Sequence, residues 1–384
     1  MKVAIVCPRY PPAIGGAEKY LEEVARGLAG RGYDVEVFTS DYEQHLRFVK
    51  LDRKIARKEE KNGVKIFRLM SFPWRRYGYF ITPGMIPRIL SSRPNVIYSA
   101  GFGYWACFAG FICARLLRKP FIIQPNFGVP MSPFQRTYHG TIGKLLRSAD
   151  GAVFYSEYER KLMSEYGKIP SCSIVANPGV DEKFFSFVVN RDVRSKLGLQ
   201  GKRVILTVGR VDDGKRIDIL IKAIGRLRAF FSDLAVVVAG PDFGAMESLR
   251  VLACRLEVDD CVYFTGKLEQ DDLINLYREA EVYVHPSGFE LFGIAVAEAF
   301  ASSLPVVASD AGSVPELVEH GITGLLFREG AEDELFQAVK LIMEDKFLAR
   351  SLAGKAHEKA FREYRWERTV EKIEVLVKGI GETF

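Results

Sequence analysis

The chain has 384 residues, 48% hydrophobic and 27% charged. That is a soluble globular composition rather than a disordered one, and too long for one ordinary core. The net charge of +6 is mild; it admits an acidic partner but favours a solvated surface with a few more lysines than glutamates.

Residues 3–7 form an apolar run of strand length, and Ala17, Tyr20, Leu21, Val24 and Leu28 then recur at helical spacing. Met1-Lys2 leads straight into the run, which ends at Pro8-Arg9, so no signal peptide is expected. Val35 and Val37 begin a second strand. Segment 47–65 then breaks the rhythm with Arg47, Lys50, Arg53, Lys54, Arg57, Lys58, Lys61 and Lys65. Phe72, Trp74, Arg75, Arg76, Tyr77, Tyr79 and Phe80 follow. Basic residues beside aromatics mark either a peripheral contact with an anionic membrane or a solvated excursion from the sheet, and both readings stay open. Further strands are expected at 96–98, 121–123, 152–155 and 173–175. The longest apolar stretch, 102–114, is too short to span a bilayer and reads as a buried helix.

The rhythm restarts near 203. A strand at 204–208 precedes a helix face of Ile217, Leu220, Ile221, Ile224 and Leu227. Strands follow at 234–239, 262–264, 282–284 and 305–308, with helices at about 245–256, 270–279, 293–302 and 332–343. The expected fold is α/β, with two Rossmann-like, doubly wound domains. The first spans 1–185 and takes a C-terminal helix at about 365–384; the second spans 186–364. The join is placed in the polar stretch 181–200, which includes 189–192. The terminal helix, patterned by Val370, Ile373 and Val377, is assigned to the first domain, although it could equally cap the second.

Six cysteines are scattered at 7, 107, 113, 172, 254 and 261, with no CxxC. Neither a disulfide framework nor a metal site is expected, and such thiols suit a reducing cytoplasm.

Three segments carry candidate chemistry. The first turn, Pro8-Arg9-Tyr10-Pro11-Pro12-Ala13-Ile14-Gly15-Gly16-Ala17-Glu18, lies between a strand and a helix at the carboxyl end of the sheet, where ligands bind in open α/β folds. Gly15 and Gly16 leave backbone N–H groups uncovered for a phosphate. The dinucleotide pattern GxGxxG is absent, which disfavours a nicotinamide or flavin enzyme.

The second domain opens with Gly209-Arg210-Val211-Asp212-Asp213-Gly214-Lys215-Arg216. This nearly matches a P-loop, but Arg216 stands where a Ser or Thr would hold Mg²⁺, so an ATPase is disfavoured. Arg210 can fork two phosphate oxygens and Lys215 adds a mobile charge, a pair suited to a diphosphate without a metal. The alternative is a surface pair facing water.

The densest segment runs from the strand at 282–284 through His285-Pro286 and a loop carrying Glu290 to Phe292-Gly293-Ile294 and an apolar helix containing Glu298. A glutamate in such surroundings is costly unless paired or hydrogen-bonded. A ribose diol would satisfy it; so would an internal salt bridge. The amides at Gly293 and Ile294 would meet phosphate.

Glu290 and Glu298, with seven residues between them, resemble the EX7E motif of retaining glycosyltransferases of family 4, which have the GT-B fold. The resemblance runs nearly the full length. It includes Pro11-Pro12 with Gly15-Gly16-Ala17-Glu18, Asn177-Pro178-Gly179-Val180-Asp181, Gly209-Arg210 with Gly214-Lys215, Gly266-Lys267-Leu268, Leu304-Pro305-Val306-Val307-Ala308-Ser309 and Pro315-Glu316. It implies two domains facing a central cleft. It also implies transfer of a sugar from a nucleotide-diphosphate donor to a glycan or lipid-linked acceptor, with no cofactor or bound metal. Arg210 and Lys215, following Gly209, would hold the diphosphate and Glu290 the transferred sugar. Glu298 would hold the ribose, and the amides at Phe292, Gly293 and Ile294 the distal phosphate. Lys267 and Leu268 would lie along the base, with Gly15 and Gly16 beside the diphosphate.

The chain departs from the family pattern at two sites. A histidine usually follows the strand matching 121–123, whereas this chain has Asn126, which can bond a sugar hydroxyl but cannot take a proton at neutral pH. The preceding strand, often ending in histidines, ends in Ser99-Ala100-Gly101. A lesser departure is Ser303, where glycine is usual. These differences keep a noncatalytic nucleotide-sugar-binding protein as the alternative. A nucleotide-sugar epimerase or phosphorylase is a third reading, and no motif supports nucleic-acid binding.

Overall fold

The computed structural model describes residues 1–44, 50–74, 79–126, 143–186 and 193–383. Arg47, Arg75, Arg76, Tyr77 and residues 189–192, discussed above, lie outside the described residues. The chain divides into two compact units, Met1–Pro178 with Trp366–Phe384, and Gly179–Arg365. By their internal packing the units divide at Pro178, a few residues before the expected end of the first domain at 185.

The first unit is built on β1 (Lys2–Val6), β2 (Asp34–Ser40), β3 (Lys58–Lys61), β4 (Val64–Leu69), β5 (Val96–Ala100), β6 (Phe121–Gln124), β7 (Gly151–Phe154) and β8 (Ser173–Val175). The sheet order is β8-β7-β6-β5-β1-β2-β4-β3. Every pairing is parallel except β3 with β4. The central strands read as unbroken apolar runs because both faces are covered: Val3, Ala4, Ile5 and Val6 are all fully buried. The chain leaves β1 for β2 on one side while β5 pairs on the other, so the loop after β1 sits at the point where strand order reverses.

Helix α1 (Gly16–Gly30) follows that loop and buries Tyr20, Leu21, Val24 and Leu28. The terminal helix, Trp366–Thr383, packs on α1. The approach is close: a Cβ on Gly27 would stand 2.5 Å from Val370 Cγ2. The Thr369 hydroxyl donates to the Asn177 carbonyl at 2.7 Å.

The hairpin β3–β4 was not anticipated from the basic segment. Its turn is Asn62-Gly63, with φ of 53° and 77°, the two positive-φ residues that a tight hairpin turn requires. Much of the segment's positive charge is used inside the unit. Arg53 and Arg57 both donate to Asp41 Oδ2, at 2.7 and 3.0 Å, and that carboxylate is fully buried. Lys61 meets Glu22 at 3.1 Å and Lys65 meets Asp34 at 2.9 Å. Lys54 and Lys58 remain exposed. Among the described residues no helix is long and apolar enough to cross a membrane.

The second unit is an all-parallel sheet of β9 (Arg203–Val208), β10 (Leu234–Ala239), β11 (Val262–Gly266), β12 (Val282–His285), β13 (Val306–Ser309) and β14 (Leu325–Phe327). Its order is β11-β10-β9-β12-β13-β14. One core runs from helix α2 (Ile217–Leu227) across β9 and β10 to Leu335, Val339 and Leu352. Strand β14 and the helix Lys346–Glu363 are additions to the expected elements.

Helix α3 (Ile294–Ala301) connects β12 to β13, is capped by Ser302 and is followed by Ser303, whose φ is 55°. That left-handed geometry costs a residue with a Cβ roughly 1–2 kcal/mol, which gives glycine its physical advantage there. Ser303→Gly should therefore raise stability by about 1 kcal/mol, read as a higher midpoint in urea with an unchanged slope. An unchanged or lowered midpoint would show that the serine is not strained.

Candidate functional site

In the second unit all strands are parallel, so their carboxyl ends emerge on one edge. The loops there are laced by backbone bonds. Gly209 N–H donates to Ala239 O at 3.0 Å, Gly240 N–H to Gly266 O at 2.9 Å and Val211 N–H to Pro241 O at 2.9 Å. The crossing of the first two loops is very tight. A Cβ on Gly240, whose φ is 152°, would lie 1.8 Å from the Gly209 oxygen. A side chain at 240 would force the two loops apart.

The loop after β9 makes a short 3₁₀ turn, Asp213–Lys215, which turns Lys215 back across Gly209; a Cβ on Gly209 would stand 3.5 Å from Lys215 Cε. The loop after β12 lies against this turn. Gly288 N–H donates to Gly214 O at 3.0 Å, and the Ser309 hydroxyl donates to Ser287 O. Glu290 is anchored from its other side, where Ser313 N–H donates to Glu290 O at 3.0 Å. Gly312 permits that approach, since a Cβ there would fall 2.3 Å from the Glu290 carbonyl oxygen.

These loops bring three functional side chains together. The Lys215 ammonium forms an ion pair with Glu290 Oε1. His285 Nε2 stands 3.1 Å from the same oxygen. The Tyr283 hydroxyl lies 3.1 Å from His285 Nδ1, with Val208 O farther off at 3.4 Å. Burial alone would push the Glu290 carboxyl upward, but the Lys215 ammonium and the His285 ring hold it well below the usual carboxylate range. Burial lowers His285 in turn, so its ring is neutral at pH 7. Nε2 faces the Glu290 carboxylate without a well-aligned hydrogen bond, while Nδ1 faces the Tyr283 hydroxyl. Both partners converge on Oε1, so Oε2 stands outside these contacts and can accept from a ligand.

Arg210 is half exposed, 3.6 Å from Asp212 Oδ2, and stacks over Phe243 with its guanidinium carbon 5.4 Å from the ring centre. It shares a small cavity of about 10 Å³ with Gly209, Lys215 and His285, room for about one water. Gly293, with φ of 99°, caps α3, and the first amides of that helix point out of its N-terminus. Phe292 is buried and packs edge-on against Tyr364 at 5.3 Å, so only its backbone is offered. Glu298, one turn into α3, accepts from the Tyr277 hydroxyl at 2.9 Å. A fully buried tyrosine therefore meets the carboxylate, in addition to any ion pair. Lys267 is exposed and Leu268 half buried, directly after β11. His285 and Tyr283 were not singled out from sequence as functional; a histidine closing a buried apolar strand was the available signal.

In the first unit, loops after β1, β5 and β6 meet at the carboxyl edge. Gly101, with φ of 87°, lets Pro8 approach, since a Cβ there would stand 2.8 Å from Pro8 Cδ. Phe102 N–H donates to Pro125 O at 2.7 Å. Asn126 has φ of 52°, a left-handed geometry that asparagine tolerates better than most residues. Its Oδ1 is buried without a hydrogen-bond partner among the described residues. Gly15 precedes α1 in extended geometry, and a Cβ on it would collide with the Glu18 carboxylate, which is nearly buried and paired with Arg9 at 2.6 Å. Gly16 is the first residue of α1.

Comparison with known proteins follows the same division. Residues 14–184 match the family model "Glycosyltransferase Family 4" and residues 189–360 match "Glycosyl transferases group 1". A glycosyltransferase, MJ1607 of Methanocaldococcus jannaschii, is 25% identical, with 99% of this chain and 100% of that protein aligned. The structure superposes on sucrose-phosphate synthase from Thermosynechococcus elongatus with a TM-score of 0.83 and 21% identity, covering 100% of both chains. It superposes on Anabaena HepE in complex with UDP-glucose with a TM-score of 0.80 and 21% identity, covering 99% and 100%. With both units matched in order to the two halves of one enzyme class, the chain belongs to the glycosyltransferases of the family 4 type and has their GT-B fold.

Proposed function

We propose that this glycosyltransferase moves a sugar from a nucleoside-diphosphate donor with retention of configuration and without a bound metal. The observation that carries the reading is the convergence of Lys215 and His285 on one oxygen of Glu290, beside Arg210 and the N-terminus of α3. HepE, which shares the fold, takes UDP-glucose in its crystal structure; that supports a nucleotide sugar as donor here.

In this reading the donor diphosphate competes with Glu290 for the Lys215 ammonium. Arg210 forks the phosphate oxygens, and the amides at Phe292, Gly293 and Ile294 meet the distal phosphate. As the glycosidic bond lengthens, negative charge grows on the leaving diphosphate, and these fixed donors stabilise it. Glu290 is free to turn Oε2 to the sugar hydroxyls. His285 keeps the carboxylate in place once Lys215 has left it, and Tyr283 keeps the ring in place. Glu298 meets the ribose, with Tyr277 orienting it, while Lys267 and Leu268 flank the base. The roles given to Gly15, Gly16 and Asn126 rest on the family resemblance. A glycan or lipid-linked acceptor, a cytoplasmic location and a peripheral membrane contact through Lys54 and Lys58 also belong to the proposal.

A thermal-shift series with UDP-, GDP- and ADP-sugars is expected to find one donor that raises the apparent stability. The gain would be about 2.7 kcal/mol at a hundredfold excess over Kd. No shift with any of them would overturn the donor reading, and binding without transfer or hydrolysis would leave a binding protein.

Lys215→Ala should lower kcat/KM on the order of 10²–10³-fold, the usual loss for one preorganised donor to a developing anion. Near-normal turnover would remove Lys215 from the charge chemistry.

His285→Phe should leave affinity for the free nucleoside diphosphate nearly unchanged while removing the extra affinity gained from the sugar. His285→Gln, which retains a donor, should restore part of it. Equal weakening of both ligands in calorimetry would mean that His285 only supports the loop.

A further inference from the structure

Lys359 carries a charge that the donor chemistry does not use, in a place where a charge is costly. It sits on the helix Lys346–Glu363, and its side chain is only 9% exposed. An ammonium taken out of water must be met by charge and by hydrogen bonds. Three oxygens meet this one. Leu317 O accepts at 2.9 Å, Glu316 O at 3.1 Å and Glu319 Oε1 at 2.8 Å. The two carbonyls close the short helix Val314–Leu317, and the last carbonyls of a helix have no partner within it.

The other end of that short helix supports Glu290. Ser313 is its N-cap, and Ser313 N–H donates to Glu290 O. The residues between form one tight turn. Val314 N–H donates to Ala311 O at 3.2 Å, Glu316 N–H to Ser313 O at 3.0 Å and Val318 N–H to Val314 O at 2.9 Å. A turn bonded this closely has no slack, so a displacement at 317 is felt at 313. Leu317 also leans on the start of α3, where a Cβ on Gly293 would stand 3.8 Å from Leu317 Cδ2.

The helix that carries Lys359 braces α3 as well. His357 Nδ1 stands 2.8 Å from the oxygen of Ala301, the last residue of α3, and Tyr364 packs on Phe292 before its start. Lys359 reaches past α3 to the turn that holds Glu290. A buried apolar chain could fill the same space without desolvating a charge. What the ammonium adds is direction, because it fixes three oxygens at once.

We propose that Lys359 is a positioning residue for the donor sugar: by fixing the turn at 313–317 it sets where the Glu290 carboxylate stands relative to Lys215 and His285. Lys359 itself touches no substrate. The sugar contact rests on the glycosyl-transfer reading above; the placement of Glu290 does not.

The test uses the full chain and two readouts. The first needs no ligand. In protein labelled with ¹⁵N in its five histidines, the ring signals of His285, assigned by their loss in His285→Phe, report on the carboxylate 3.1 Å away. Lys359→Met should move them, and Lys359→Arg, which keeps a charged donor, should return them toward their native position. A lysine that only steadies its own surroundings would move the signals of His357 and leave those of His285 alone. The second readout is calorimetry with UDP-glucose, GDP-mannose and ADP-glucose, each against its free nucleoside diphosphate. For the pair that binds the native protein, the affinity gained from the sugar should fall about tenfold in Lys359→Met, the order of loss when the partner that orients a liganding group is removed. Affinity for the free diphosphate should stay nearly unchanged, and Lys359→Arg should restore part of the gain. Glu319→Ala, at an exposed position, should shift both readouts in the same direction by less, which keeps the test decisive if the methionine variant does not fold. Unmoved His285 signals, an unchanged gain from the sugar, or equal weakening of both ligands overturns the proposal. His285 signals that move as expected in a protein that binds no nucleotide sugar would uphold the placement of Glu290 and sink the donor reading instead.

Discussion

A carboxylate taken out of water costs several kcal/mol unless its charge is met, and the loops of the second unit are arranged around meeting it at Glu290. Lys215 comes from the end of β9, whereas His285 closes β12 and Glu290 follows it in the same loop, so Lys215 could not reach Glu290 unless those two strand ends lay side by side. Parallel pairing of β9 with β12 supplies that adjacency. The close crossing at Gly209 and Gly240, and the Gly312 approach to Glu290, then remove the side chains that would hold the loops apart. The same arrangement leaves one carboxylate oxygen outside the network. A site built this way is stable when empty and still has an acceptor to offer.

The first unit meets buried charge differently. Asp41 is fully buried and gathers Arg53, Arg57 and the Ser71 amide. Glu18 is nearly buried and is paired with Arg9. These pairs shape the excursion that begins after β2 and the loop after β1. The residues that look from sequence like a free basic surface are, for the most part, fasteners. What they fasten is the unit's own loops, so the charge serves the form of the unit before it serves any partner.

Much of the plan was legible in the sequence because its signals are local. Parallel strands buried on both faces appear as short apolar runs, and 234–239 coincides with its strand residue for residue. Helix faces at 17–28 and 217–227 appear as helical repeats. The hairpin at β3–β4 was hidden because an edge strand reading Lys58-Glu59-Glu60-Lys61 has no apolar periodicity, and only Asn62-Gly63 marked it. Ser303 and Asn126 stood out as departures, and their positive φ values supply the backbone reason for the residues favoured there.

The sequence by itself determined the class of fold, the order of the motifs along the chain and the candidate groups at each strand end, because each depends on neighbours a few residues away. It could not assign the partner of any of them. Glu290 in solvent and Glu290 in a network are the same letters. Only the tertiary structure brought residues 215, 285 and 290 to one oxygen, set Tyr277 on Glu298 and set Lys359 against the turn that follows Ser313. Those outcomes depend on which strands lie side by side and how closely two glycines let their loops cross. That information lies in contacts between residues distant in sequence, where no local period can carry it.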